Sequence, residues 1–134
     1  NLPILIKGIL RAEDAKIAAD LGCQGIIVSN HGGRTLDTTI PTAWALPLIR
    51  DAVGSSYCLL VDSGIRRGTD VLKAIALGAN AVLVGRPIAM ALGSAGPQGV
   101  AHVIRLLWDE LKASMALSGT ETLQTIPPDL IYTR

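Results

Sequence analysis

The chain has no phenylalanine and only two tryptophans and two tyrosines, so aromatic residues make up 3% of its 134 positions. A core without large rings must be filled by Val, Ile, Leu and Ala, the residues of parallel strands covered on both faces. An excess of one charge is also missing: twelve Lys and Arg stand against eleven Asp and Glu, for a net charge of +1. No strong field draws such a chain to nucleic acid or anionic lipid, and neither is expected as a partner. No run of about 18 uninterrupted apolar residues occurs, and Asn1-Leu2-Pro3 lacks the basic start of a signal peptide, so no membrane span or targeting segment is read. Cysteine is limited to Cys23 and Cys58, too few and too far apart for a disulfide framework or a zinc site, and no metal is expected. Both read as buried, reduced thiols of a cytoplasmic protein. What the chain has in abundance is aliphatic bulk: 49% hydrophobic residues, 17% charged ones and a mean hydropathy of +0.43, which exclude disorder as its general state.

Apolar runs rich in β-branched residues alternate with helical patterns, the arrangement of consecutive βα units on a parallel sheet. Four units are read. Strand Ile4–Ile6 precedes a helix that enters at Arg11-Ala12-Glu13-Asp14, leads into Ala15, Ala18, Ala19 and Leu21 at helical spacing, and stops at Gly22. Strand Gly25–Ser29 leads through a long loop to a helix from Pro41 to about Val53. Strand Tyr57–Val61 is followed by a helix from Thr69-Asp70 to Gly78, and the last strand is Ala81–Val84. Beyond it a short helix is expected over Pro87–Leu92. A longer one over Gly99–Leu117 has Val100, Val103, Ile104, Leu107, Leu111 and Met115 on its apolar face. In the latter helix Arg105 and Asp109 are i,i+4 partners and His102 reads as a surface or structural residue. The tail from Gly119, with Pro127-Pro128, reads as a short helix and an ordered extension. The chain opens on a strand without a cap, as a piece beginning in mid-domain does, and residues 1–134 read as one domain or part of one.

Each strand ends in a polar or glycine-rich group: Lys7-Gly8, Asn30-His31-Gly32-Gly33-Arg34, Asp62-Ser63-Gly64-Ile65-Arg66-Arg67-Gly68, and Gly85-Arg86-Pro87. In a (β/α) barrel these ends share the face that carries the active site, and the loops after the seventh and eighth strands commonly bind phosphate. The last two groups read as a phosphate cradle. Their glycines let backbone approach, N–H groups at a helix start face the anion, and Arg66 or Arg86 adds charge-assisted hydrogen bonds. The ordinary tight βα turn is the plain alternative. Asp62 is placed to accept from a ribityl or ribose hydroxyl. His31 and Arg34 pair a group that takes a proton near neutral pH with a fork that grips a carboxylate. Lys7 points into the barrel mouth and needs a negative partner, either a ligand or an internal salt bridge. Asp37 and Asp51 read as capping or surface residues, and Arg67 as solvent-facing.

These four ordered groups, with Met115-Ala116-Leu117-Ser118-Gly119, resemble the FMN-dependent 2-hydroxy-acid oxidases and dehydrogenases, the family of glycolate oxidase, lactate oxidase and L-lactate dehydrogenase (cytochrome). The resemblance covers nearly the whole chain. It implies an α/β fold, the C-terminal half (strands five to eight) of a TIM (β/α)8 barrel, with FMN as cofactor and no metal. It implies that Lys7 contacts the flavin N1/O2 edge and Ser29 lies near the isoalloxazine ring. Asp62, Ser63, Gly64, Ile65, Arg66, Gly85 and Arg86 would hold the ribityl chain and phosphate. His31 would be the base and Arg34 the binder of the substrate carboxylate. The reaction implied is oxidation of an L-2-hydroxy acid to a 2-oxo acid, with oxygen or another acceptor reoxidising the flavin, in a protein that is a homo-oligomer when complete. Thr35 stands where many members have Gln, and Ser63 where many have Gly. A full barrel needs about 250 residues, so the chain is expected to be a fragment that is inactive alone. The missing part would carry the substrate tyrosines, a second arginine and the aspartate that orients His31. Two other readings remain open at this point: a phosphate-binding barrel of another class, an isomerase or nucleotide dehydrogenase, and a non-catalytic half-barrel that self-associates.

Overall fold

The computed structural model describes residues 2–132. Four parallel strands, β1 (Leu5–Ile9), β2 (Gly25–Val28), β3 (Cys58–Val61) and β4 (Ala81–Val82), lie side by side in chain order. Helices α1 (Ala12–Asp20), α2 (Thr42–Val53) and α3 (Gly68–Ala76) connect them, and α4 (Arg86–Leu117) follows the last strand. An order of β1-β2-β3-β4 without reversal is that of a barrel wall; a doubly wound sheet reverses direction at a switch point. The parallel α/β architecture expected from the sequence is therefore present.

The strands form where β-branched and leucine residues cluster, and their alternate side chains go to different environments. Ile26, Val28, Leu59 and Val61 are at most 2% exposed and pack on Ala15, Ala18, Ala45, Leu46 and Ile49 of the helices. On the opposite face Ile27 and Leu60 are only half-buried and Leu5 is exposed. The expectation of strands covered on both faces holds for one face alone, because no second layer of described residues packs inside the sheet. Both cysteines are likewise half-buried, not buried, and are free thiols.

Element limits differ from the sequence reading for local reasons. β1 runs on to Ile9 because a bulge at Gly8, whose φ is +99°, shifts the register between Lys7 and Ile9. β2 stops before Ser29, whose hydroxyl turns to side-chain and loop partners. β4 is two residues long, although Leu83 N–H still donates to Val61 O. The two expected helices after β4 form one element, α4, that breaks at Ala95 and Gly96 (φ +56°, ψ −148°) just before Pro97. On the long segment Leu111 is buried against α3 whereas Ile104, expected on the apolar face, is exposed. Arg105 and Asp109 pair at 3.7 Å as expected, and His102 is exposed. The tail forms two single 3-10 turns, Leu123–Thr125 and Pro128–Leu130. Among the described residues no helix is long and apolar enough to cross a membrane.

At the end of the sheet away from the polar groups, the Arg50 guanidinium ties together the turns that precede β3 and β4. It donates to Gly78 O (2.6 and 2.9 Å), Gly54 O (2.6 Å), Tyr57 O (2.8 Å) and Asn80 Oδ1 (3.0 Å). Asn80 Oδ1 also accepts Leu59 N–H at 2.8 Å. Arg50→Met keeps the aliphatic stem and leaves these carbonyls without their donor. It is expected to cost about 2 kcal/mol in chemical denaturation while sparing activity under native conditions, since these contacts lie at the end of the sheet opposite the polar strand ends.

Candidate active site

The C-terminal ends of the four strands bring Lys7, His31, Arg34, Asp62, Arg66 and Arg86 around one cleft of about 800 Å³. Its floor is an ion pair. Lys7 Nζ lies 2.8 Å from Asp62 Oδ2 and donates to Ser29 Oγ at 2.8 Å. The bland alternative for Lys7, an internal salt bridge, is thus what the structure shows, and it uses part of the acceptor capacity that the sequence reading gave to a ribityl hydroxyl. Burial pushes the Asp62 carboxyl up, but hydrogen bonds from Lys7, Ser29 and Ser63 and the Lys7 charge outweigh it, leaving its pKa below the usual carboxylate value. A carboxyl held lower in the folded state than in the unfolded chain stabilises above the ordinary Asp pKa, and that stabilisation is lost as pH falls through the lowered value. Lys7→Met is expected to make the acid limb of the stability–pH curve shallower, measured by denaturant unfolding at stepped pH. An unchanged limb would show that the pair contributes nothing.

His31 opens a single 3-10 turn, His31–Gly33, after β2. Its φ of +55° lies in the left-handed region, which costs a non-glycine residue about 1–2 kcal/mol. The loop is held there by its amides: His31 N–H donates to Ser29 Oγ (3.1 Å), Asn30 N–H to Ser63 Oγ (3.3 Å), and Gly32 N–H to Ser63 Oγ (3.1 Å) and Asn30 Oδ1 (3.0 Å). Ser29 is 1% exposed, so it serves as an internal strut. Gly8 brings the bulged backbone of β1 beside the ring: a Cβ there would lie 3.7 Å from His31 Cε1. Arg34 folds back so that Nε donates to His31 O at 3.3 Å, which ties the guanidinium to the backbone of the residue that carries the imidazole. Arg86 reaches from the end of β4 to donate to Gly32 O at 3.1 Å. Among the described residues Arg34, Arg66 and Arg86 form no ion pair, so their charge is available to an anion.

The expected cradle is only partly free. At the entry to α3, Arg66 N–H and Arg67 N–H both donate to Asp70 Oδ2 (3.0 and 2.9 Å), and Gly68 N–H donates to Glu110 Oε2 at 2.8 Å. Those helix-start groups do not face an anion, because two carboxylates of the chain already satisfy them. Ile65 is 9% exposed and packs in the core while also bordering the cleft. Arg67 is exposed as expected but also pairs with Glu110 at 2.8 Å. The start of α4 differs: Gly85 and Arg86 border the cleft, and no side chain caps this end. A Cβ at Gly64 or Gly85 would meet nothing within 4 Å, so the backbone at both is open to an approaching group.

The sequence reading assigns no part in the site to Thr42 or Glu110, and marks Asn30 only as a neighbour of His31 and Asp70 only as a helix start. Thr42 Oγ1 donates to Asp62 O and Ser63 O (2.9 and 3.1 Å) and fixes the turn after β3. Asp70 was legible as an acid three residues inside a helix start. Glu110, 42 residues from Gly68, left no local signal.

The FMN-dependent dehydrogenase family matches residues 1–133. An L-lactate oxidase of Roseobacter sp. (strain GAI101) is 53% identical over 130 residues, which are 97% of this chain and 35% of that protein. A 2-hydroxyacid oxidase of Dictyostelium discoideum is 51% identical over 98% of the chain and 34% of its own length, and an L-lactate dehydrogenase of Serratia proteamaculans (strain 568) 52% over 95% and 33%. Among solved structures, mandelate oxidase with benzoyl-formic acid superposes with a TM-score of 0.91 at 50% identity, covering 96% of this chain and 38% of that one. A mandelate oxidase variant with a monooxide FMN adduct gives 0.91 and 50%, over 96% and 41%. The chain spans about a third of the length of these curated relatives. With its match across residues 1–133 and identities above 50% to several members, the chain belongs to the FMN-dependent dehydrogenase family.

Proposed function

We propose that the chain supplies the proton-accepting and phosphate-facing side of a (β/α) barrel that oxidises an L-2-hydroxy acid to the 2-oxo acid with FMN. Residues 1–134 would be one contiguous part of that barrel, its four strands the fifth to eighth. The observation that carries the reading is the meeting of His31, Arg34 and the Lys7–Asp62 pair in one cleft with unpaired Arg66 and Arg86. Supporting the strand assignment, the anion-ready groups follow β3 and β4, the place of phosphate loops after the last two strands of a barrel.

The residues present suit FMN. Gly64 and Gly85 leave backbone open, the uncapped start of α4 faces the cleft, and Arg66 and Arg86 match a phosphate dianion. When bound, FMN accepts the two electrons that the substrate gives up. Arg34 grips the substrate carboxylate and so fixes the 2-carbon beside His31. The His31 imidazole takes the proton released as the alcohol becomes a carbonyl. Lys7 holds positive charge at the cleft floor, where added negative charge on the cofactor is favoured. Ser63 and Ile65 border the same floor, and the buried Ser29 braces Lys7 from beneath it. The relatives act on lactate, mandelate and other 2-hydroxy acids by name, and a small L-2-hydroxy acid is the substrate class proposed here.

The test is an FMN titration of the intact protein, followed by anaerobic addition of L-lactate, glycolate or mandelate. Stoichiometric binding and bleaching of the flavin band by at least one of them is expected. Binding without bleaching by any would overturn the substrate class, and failure to bind FMN would overturn the cofactor assignment.

A further inference from the structure

We propose that the Ser63 hydroxyl is the positioning residue of the His31 loop. It clasps that loop to the Lys7–Asp62 pair, and its effect on turnover comes through geometry. The inference rests on reading His31 as the base.

Ser63 lies immediately after Asp62 at the end of β3, next to the strand that carries His31. Its φ is +69°, a backbone conformation that glycine adopts freely and serine does not. A serine there must recover that cost through its side chain. Its Oγ accepts Asn30 N–H and Gly32 N–H and donates to Asp62 Oδ1 at 2.7 Å. A hydroxyl has one donor and two lone pairs, so all of its capacity is used. The two amides it holds are those on either side of His31 in the chain. His31's own N–H goes to Ser29 Oγ, which also accepts from Lys7 Nζ. Three consecutive amides are thus oriented by two hydroxyls that are themselves bonded to the ion pair, and the backbone that carries the imidazole is set relative to that pair. Gly32 N–H has a second acceptor in Asn30 Oδ1, whereas Asn30 N–H has Ser63 Oγ alone among the described residues. The Asn30 amide is therefore the reporter of the clasp.

The experiment compares Ser63→Ala and Ser63→Gly with the intact wild-type protein. Alanine keeps the backbone strain and glycine relieves it, but both remove the hydroxyl. The Asn30 amide is expected to exchange with solvent roughly tenfold faster in both variants. Turnover of the hydroxy acid is expected to fall roughly tenfold in both with KM little changed, since Arg34 still holds the carboxylate. Ser63→Gly should be the more stable variant and yet no faster than Ser63→Ala. Wild-type turnover in Ser63→Gly, or wild-type Asn30 exchange in both, overturns the proposal. If the wild-type protein oxidises no 2-hydroxy acid, the functional reading fails by itself, and Asn30 exchange still decides whether the clasp exists.

Discussion

His31→Asn in the intact protein is expected to lower turnover by about 10²–10⁴-fold, the usual contribution of a positioned base, while FMN stays bound. Asparagine is the informative replacement because it tolerates the left-handed region better than other residues, and His31 sits at φ +55°. The loop is held mainly through its backbone: the amides of Asn30, His31 and Gly32 donate to Ser29, Ser63 and Asn30 oxygens whatever side chain follows. A drop in rate then reports the missing proton acceptor and not a displaced loop. Steady-state kinetics at saturating hydroxy acid, with flavin content read from the visible spectrum, checks it. Unchanged turnover with full flavin occupancy would sink the assignment of His31.

Gly68→Ala should produce the largest loss of stability of any single methyl added to the chain, about 3 kcal/mol or more. Gly68 is buried at the first turn of α3, where it meets α4 face to face. An added Cβ would run into the backbone of Leu111 and Glu110 and come within 2.6 Å of Glu110 Cβ. Backbone cannot rotate aside as a flexible side chain can, so the two helices must separate. Separation also withdraws the Glu110 carboxylate from Gly68 N–H and from Arg67 Nε, at 2.8 Å each. The turn carrying Arg66 loses its anchor in the same movement, so weaker FMN binding is expected together with a lowered Tm. Thermal melts and a flavin titration of the variant test both. A Tm equal to that of the wild type would mean that α4 does not clamp α3.

The contrast between His31 and Glu110 shows how far the sequence reaches. His31, Arg34, Lys7 and Asp62 follow strand-like runs directly, so reading the strands already gathers them at one end of the sheet. The elements themselves were legible because β-branched runs and helical spacing are local. Glu110 was not, since what it does depends on α4 folding back over α3 across a separation of 42 positions. Arg50 was missed for the same reason: its acceptors come from Gly54, Tyr57, Gly78 and Asn80, which meet only in the folded chain. The cradle at the start of α3 was misread because the glycines and arginines were weighed and Asp70 was not. A carboxylate three residues into a helix takes the very amides that an anion would use. Strand burial was overestimated because an aliphatic composition says how apolar a strand is, but not whether its inner face has a partner.

The cleft also settles a matter that net charge left blank. Twelve basic and eleven acidic side chains nearly cancel over the chain, yet Lys7, Arg34, Arg66, Lys73 and Arg86 border the cleft against only Asp62 and Asp70. The near-neutral molecule therefore concentrates its positive potential at one mouth, with apolar walls that focus the field outward. Small anions are drawn toward that mouth before they touch it, and cations are turned away. Added salt shortens the reach of this attraction to about 8 Å at physiological ionic strength. Capture of an anionic substrate should then slow as salt rises, even where the subsequent chemistry does not.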